Sequence, residues 1–260
     1  MANLFDLEPR VPGKEPRRRR GLFLLPSLLT VGNLFCGYAC IVYSMSGQLE
    51  QAAPFIGIAI VLDMLDGRIA RLTNTTSAFG VEFDSLADVI SFGAAPAVLA
   101  FEWGLKGLGQ IGWAAGFIFL SAAAIRLARF NTQTHSQTDK RYFIGMPTPA
   151  AAGIAAATIY AMPGLPEGDH QAIAASAAVA VMLIPAALMV STIRFRSFKT
   201  INFGWGRSYL PLLVFIMLVA LVATHPRVTL VIFAYAYLIA GFVEMWITRM
   251  RARREARPAA

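Results

Sequence analysis

The sequence predicts an all-α fold, a polytopic membrane bundle of about eight transmembrane helices, and three observations carry that prediction. Of 260 residues, 57% are hydrophobic and only 15% charged, an apolar share above that of soluble domains. Apolar stretches recur near residues 21–45, 52–71, 84–104, 109–129, 147–163, 171–192, 208–224 and 228–248, each long enough to approach the thickness of a bilayer as a helix. Lysine and arginine gather in alternate connections, the pattern that orients membrane helices.

Taken in order, residues 1–20 carry prolines and charges without an apolar period and read as a basic cytoplasmic tail. Arg17 to Arg20 before an apolar run imitate a secretory signal. The run is too long for one and no small-residue cleavage site closes it, so it is expected to remain as the first span. Cys36 and Cys40 lie four apart within that span, where helix geometry holds them away from an ordinary disulfide. With three histidines they make no zinc pattern. Ser46 to Gln51, Leu105 to Gln110 and Pro163 to His170 are short, polar or Gly/Pro-containing, and read as outer loops. Thr73 to Phe83, Asn131 to Met146 and Arg194 to Arg207 are the inner connections and carry the polar chemistry. The fifth and sixth spans are rich in alanine, from Ala150 to Ala157 and from Ala172 to Ala187, which favours close helix packing. Residues 249–260 form a basic cytoplasmic tail, so the transmembrane domain is expected over 21–248.

With a cytoplasmic N-terminus, the inner side holds 21 of the 23 lysines and arginines, and the outer side only Lys106 and Arg227. Both termini are then cytoplasmic, and the membrane is the cytoplasmic (inner) one. The net charge of +8 sits at helix ends rather than on a soluble basic face. That excludes nucleic acid as a partner and favours anionic membrane lipids.

The chemistry concentrates between Asp63 and Asp88. Asp63, Asp66, Gly67, Ala70 and Arg71 share one helical face by their spacing, and Asp84 and Asp88 stand one turn apart on the next helix. Ionised groups at membrane depth are expensive and mark function. Four carboxylates facing a common gap repel one another unless something positive joins them. Oxygen ligands without histidine or cysteine favour Mg2+ or Mn2+, with Ca2+ also admitted, over zinc. Gly67 and Ala70 are small where a larger side chain is expected, leaving room against the backbone, and Arg71 offers a donor fork suited to phosphate. Together these features point to phosphoryl chemistry on a bound diphosphate at the cytoplasmic edge.

The pattern Asp63-x2-Asp66-Gly67-x2-Ala70-Arg71-x8-Gly80-x3-Asp84-x3-Asp88 resembles the signature of the CDP-alcohol phosphatidyltransferases at every fixed position. The resemblance implies membrane enzymes that move a phosphatidyl group from a CDP-linked lipid to an alcohol and release CMP. It implies Asp63, Asp66 and Asp84 as metal ligands and Asp88 as the general base, also touching metal. Gly67, Ala70, Arg71 and Gly80 would hold the CDP-diacylglycerol headgroup, and the protein would be a homodimer.

Four further segments resemble the serine-accepting branch of that family. They are Pro26 to Gly37, Arg126-Leu-Ala-Arg129-Phe-Asn131, Gly145 to Ala150 and Ser191 to Lys199. L-serine is the acceptor this implies, and its carboxylate calls for a cation. Arg129, Asn131, Arg194 and Lys199 stand at inner helix ends and are the candidate acceptor-binding residues. Inositol phosphate or glycerol phosphate would also want such cations and are the alternatives. From another class, a divalent-cation transporter would gather carboxylates too, but it needs access from both faces, whereas these acids crowd one edge.

Overall fold

The computed structural model describes residues 24–73, 77–133, 142–164, 171–191, 194–196 and 210–255. The N-terminal tail and the end of the C-terminal tail lie outside the described residues. The first helix, α1 (Leu24–Met45), carries its large apolar side chains outward: Leu28, Val31, Phe35, Tyr38 and Val42 are exposed. Its inward stripe is small or polar, with Thr30, Asn33, Cys36, Cys40 and Ser44 buried. That reversal of the soluble pattern belongs in lipid, where apolar bulk faces hydrocarbon and polar groups face protein.

Gly47, at φ +75°, ends α1 in a left-handed turn. The Gly47 and Gln48 amides then donate back to the carbonyls of Ser44 and Tyr43, each at 2.9 Å, in a Schellman closure. α2 (Leu49–Leu72) returns along α1 and is closed by Thr73, whose amide and hydroxyl both donate to the Ile69 carbonyl. α3 (Ala78–Asp88) starts at the cap residue Ser77. It runs without a break through a π turn (Val89–Ala94), α4 (Ala95–Ala100), a second π turn (Phe101–Leu105) and a short 3-10 turn (Lys106–Leu108).

α5 (Gln110–Gln133) packs along α7 (Gln171–Val190). α6 (Thr148–Ala161) sits at the centre, with Ala151, Ala152, Ala155, Ala156 and Ala157 all buried between α2 and α9. α8 (Leu210–Thr224) and α9 (Pro226–Glu255) complete the bundle, and α9 stays helical well past residue 248. One antiparallel ribbon interrupts the all-helical expectation: β1 (Tyr142–Ile144) pairs with β2 (Arg194–Arg196), Phe143 opposite Phe195. Three-residue strands in two separate connections carry no readable period, and only the neighbouring α5 and α7 ends bring them together.

The protein is an integral membrane protein. Among the described residues, Ser27–Met45, Ala78–Leu108, Gln110–Thr132 and Pro226–Val243 are long and apolar enough to cross a bilayer, and Thr148–Ala161 and Ala174–Val190 are shorter apolar helices. α2 is long enough but carries Glu50 near its start and Asp63, Asp66, Arg68 and Arg71 toward its end, and the two aspartates belong to the site.

Candidate active site

The C-terminal part of α2 and helix α3 meet with their acids facing. One carboxylate oxygen from each of Asp63, Asp84 and Asp88 lies within 4.8 Å of the others. Asp88 is buried, and Asp63 and Asp84 are half-buried. Asp66 is buried too but turns toward α1, where the Thr30 hydroxyl donates to its Oδ2. Asn33, fully buried one turn from Thr30, donates from Nδ2 to Asp88 Oδ1 at 3.1 Å. Ser91 Oγ in turn donates to the Asn33 carbonyl at 2.9 Å. The π turn begins directly after Asp88 and puts Ser91 against α1, which sets the rotation at which Asp88 enters the gap.

Interhelix ion pairing does not account for these acids. Among the described residues the salt bridges are Lys106 with Glu102 and Arg227 with Glu50, and neither includes an aspartate. Asp84 Oδ1 is buried with no hydrogen-bond partner. A buried carboxylate oxygen without a donor is costly, and a converging set of hard oxygen atoms with one such orphan fits a divalent cation.

The remaining signature residues surround this cluster. Arg71 is exposed, and its guanidinium lies back along the helix, with Nη2 3.8 Å from where a Cβ on Gly67 would stand. Ala70 and Gly67 are half-buried. The Gly80 amide donates to Ser77 Oγ at 3.0 Å, and a Cβ there would come within 3.1 Å of that hydroxyl, so glycine lets the cap close tightly.

Of the expected acceptor residues, Asn131 donates to Ser85 Oγ at 2.8 Å and ties α5 to α3. Arg129 donates to the carbonyls of Met189, Val190 and Ser191 and so holds the C-terminus of α7, a favourable place for a cation. Arg194 falls on β2 opposite Ile144, and Lys199 lies outside the described residues. Three residues join the site beyond the sequence expectation: Thr30, Asn33 and Arg126. Arg126, on α5, is 9% exposed and donates from Nη1 to Thr148 Oγ1 at 3.0 Å. Their signal was present as isolated polar side chains inside apolar helices, but which neighbour each one meets is a property of packing.

Residues 23–193 match the family profile CDP-alcohol phosphatidyltransferase, and the chain belongs to that family. Among curated proteins it is 39% identical over 231 residues to the CDP-diacylglycerol–serine O-phosphatidyltransferase of Helicobacter pylori (strain ATCC 700392 / 26695), covering 88% of this chain and 93% of that one. The protein of the same name from Mycobacterium leprae (strain TN) is 40% identical over 143 residues, covering 53% of this chain and 47% of its own. The one from Bacillus subtilis (strain 168) is 36% identical over 127 residues, covering 49% and 70%.

Proposed function

We propose that this chain transfers the phosphatidyl group of CDP-diacylglycerol to L-serine, forming phosphatidylserine and releasing CMP. The observation that carries the reading is the gathering of Asp63, Asp84 and Asp88, with an orphaned oxygen among them, at the junction of the two helices that bear the signature. The serine acceptor is supported by the names of the relatives and by the way the four quoted segments contact the aspartates or one another. Thr30 and Asn33 reach Asp66 and Asp88, Arg126 meets Thr148, and Arg129 meets Ser191.

Asp63, Asp84 and Asp88, with Asp66 beside them, would hold the divalent ion, Mg2+ or Mn2+ by the hardness of the donors. Such an ion offsets negative charge on a diphosphate and on departing CMP. Gly67 and Ala70 let the headgroup approach the helix backbone, and Arg71 donates to its phosphate oxygens. Gly80, through the tight cap at Ser77, keeps the start of α3 clear of that headgroup. Asp88, held through Oδ1 by Asn33, takes the hydroxyl proton of serine. The serine oxygen bonds to the phosphatidyl phosphorus as the bond to the CMP oxygen breaks, and the bonding electrons leave with CMP. One displacement completes the exchange without a protein-bound intermediate. Arg129 and Asn131 frame the acceptor side by holding α5 to α7 and α3, and Arg194 and Lys199 stand at the same inner end.

The same reading gives eight spans over residues 21–248, tails at 1–20 and 249–260, both termini and the site on the cytoplasmic face of the inner membrane, and a homodimer. Support comes from the lysine and arginine distribution and the family pattern.

The test is purified protein with CDP-diacylglycerol and Mg2+ or Mn2+, measuring CMP release and lipid product with serine, inositol phosphate and glycerol phosphate in parallel. Serine-dependent CMP with a phosphatidylserine product is expected. Release only with a phosphorylated alcohol would overturn the acceptor, and metal flux into proteoliposomes without CMP would overturn the enzyme.

A further inference from the structure

Arg126 is a guanidinium placed inside a membrane crossing and removed from solvent, 9% exposed. Such a group is expensive to bury unless its donors and its charge are answered. Its described partners answer only part. Nη1 donates to Thr148 Oγ1, and the guanidinium carbon lies 5.4 Å from the centroid of the Phe130 ring. Arginine has five N–H donors, so most of the fork has no acceptor among the described residues. Neither Asp88 nor Asp63 comes within salt-bridge distance of it, although α5 packs against the π turn that follows Asp88 and its Asn131 is tied to Ser85 of α3. Arg126 therefore sits on the helix that adjoins the acid cluster without being neutralised by it.

The other described cations of this end are placed differently. Arg71 is exposed and lies along its own helix at Gly67. Arg129 is committed to the carbonyls that end α7. Arg126 is oriented instead by the start of α6. Gly145, at φ +83°, turns the chain against α7, Met146 donates to the Leu188 carbonyl at 3.0 Å, and α6 then starts with Thr148 under the guanidinium.

We propose that Arg126 binds the carboxylate of the acceptor amino acid, a specificity role that rests on the serine reading above. An amino-acid acceptor must place its hydroxyl at Asp88 and its carboxylate a few bonds away, on the side away from the aspartates. A planar cation on the helix packed against the π turn after Asp88 meets that need, and its fork matches a carboxylate in a bidentate pair. Thr148 then acts as a positioning residue, since it fixes one arm of the fork while the others remain for the ligand.

The test compares L-serine with serinol, which keeps the hydroxyl and ammonium but has a hydroxymethyl group in place of the carboxylate. For full-length wild-type, Arg126→Gln and Arg126→Lys proteins, kcat/KM is measured with each acceptor at saturating CDP-diacylglycerol, along with KM for CDP-diacylglycerol. Wild type should prefer serine, and Arg126→Gln should lower the serine-to-serinol ratio by about 10- to 150-fold, the range for a lost charge-assisted hydrogen bond. Arg126→Lys should fall between. An equal fall with both acceptors, down to no turnover, or a rise confined to the KM for CDP-diacylglycerol, overturns the proposal. Stabilisation of each variant by CMP reports folding, and if Arg126→Gln lacks it, the ratio for Arg126→Lys decides. Wild-type protein that makes no phosphatidylserine from serine would instead overturn the parent reading.

Discussion

The Asp88 carboxylate meets both a donor and two other acids. Oδ1 accepts from Asn33, and the carboxylate as a whole converges with Asp63 and Asp84. Asp88→Asn removes the proposed base while leaving the neighbouring acids, so turnover with serine should fall by about 100-fold or more, the scale of general-base catalysis. CMP binding should weaken far less, as calorimetry would show, and unchanged turnover would refute the role. Asn33→Ala removes a buried donor to a charged group and should lower kcat by about tenfold or more. Because Asn33 is assigned to act through Asp88, it should cost little further in the Asp88→Asn background. A full additive loss in the double variant would show that Asn33 acts elsewhere. At this scale the signature aspartates are legible in the sequence because their spacing is local. Asn33 is not legible as a partner, since 55 positions separate it from Asp88.

Between elements, the decisive contact is α1 against the π turn after Asp88. A Cβ on Gly37 would stand 2.8 Å from the Ser91 Cα, so the two backbones approach as closely as glycine permits. Gly37→Ala must push α1 and the turn apart, at a cost of about 1–3 kcal/mol by comparison with overpacked cores. Its melting temperature in detergent should drop, and turnover should drop with it as Asn33 withdraws from Asp88. Gly57→Ala on α2 is the control: a Cβ there meets nothing within 4 Å, and alanine is the better helix former. Equal behaviour of the two variants would dissociate the close approach from function. Apolar helical stretches were readable from length and composition, but the π turns were not, because a span that is apolar on most sides reads alike whichever turn is widened.

Across the whole molecule, charge divides the two ends. The two cations expected outside are each paired with an acid: Lys106 with Glu102 at 3.1 Å, and Arg227 with Glu50, while Arg227 also lies 5.7 Å from the Tyr160 ring centroid. Arg126, Arg129 and the aspartates occupy the other end. With Cys36 and Cys40 replaced by alanine, Gln48→Cys should react with a membrane-impermeant maleimide on intact cells and Thr132→Cys only after permeabilisation. The reverse labelling would overturn the proposed orientation. Chelation of divalent ions should abolish CMP release, and Mg2+ or Mn2+ should restore it. Full activity after exhaustive chelation would remove metal from the carboxylate cluster's role.

By itself the sequence determined the membrane class, the helical stretches, the charge asymmetry and the aspartate signature. All of these are set by composition or by spacings within one or two helical turns. Only the tertiary structure decided that Asp66 turns to Thr30, that Asp88 is gripped by Asn33, and that Arg129 closes α7 while Arg126 meets Thr148. An arginine at an inner helix end looks the same in sequence whether it caps a neighbouring helix or waits for a ligand. The difference lies in which carbonyls and hydroxyls the packing brings within about 3 Å of its donors, and residues 22 to 62 positions away supply them.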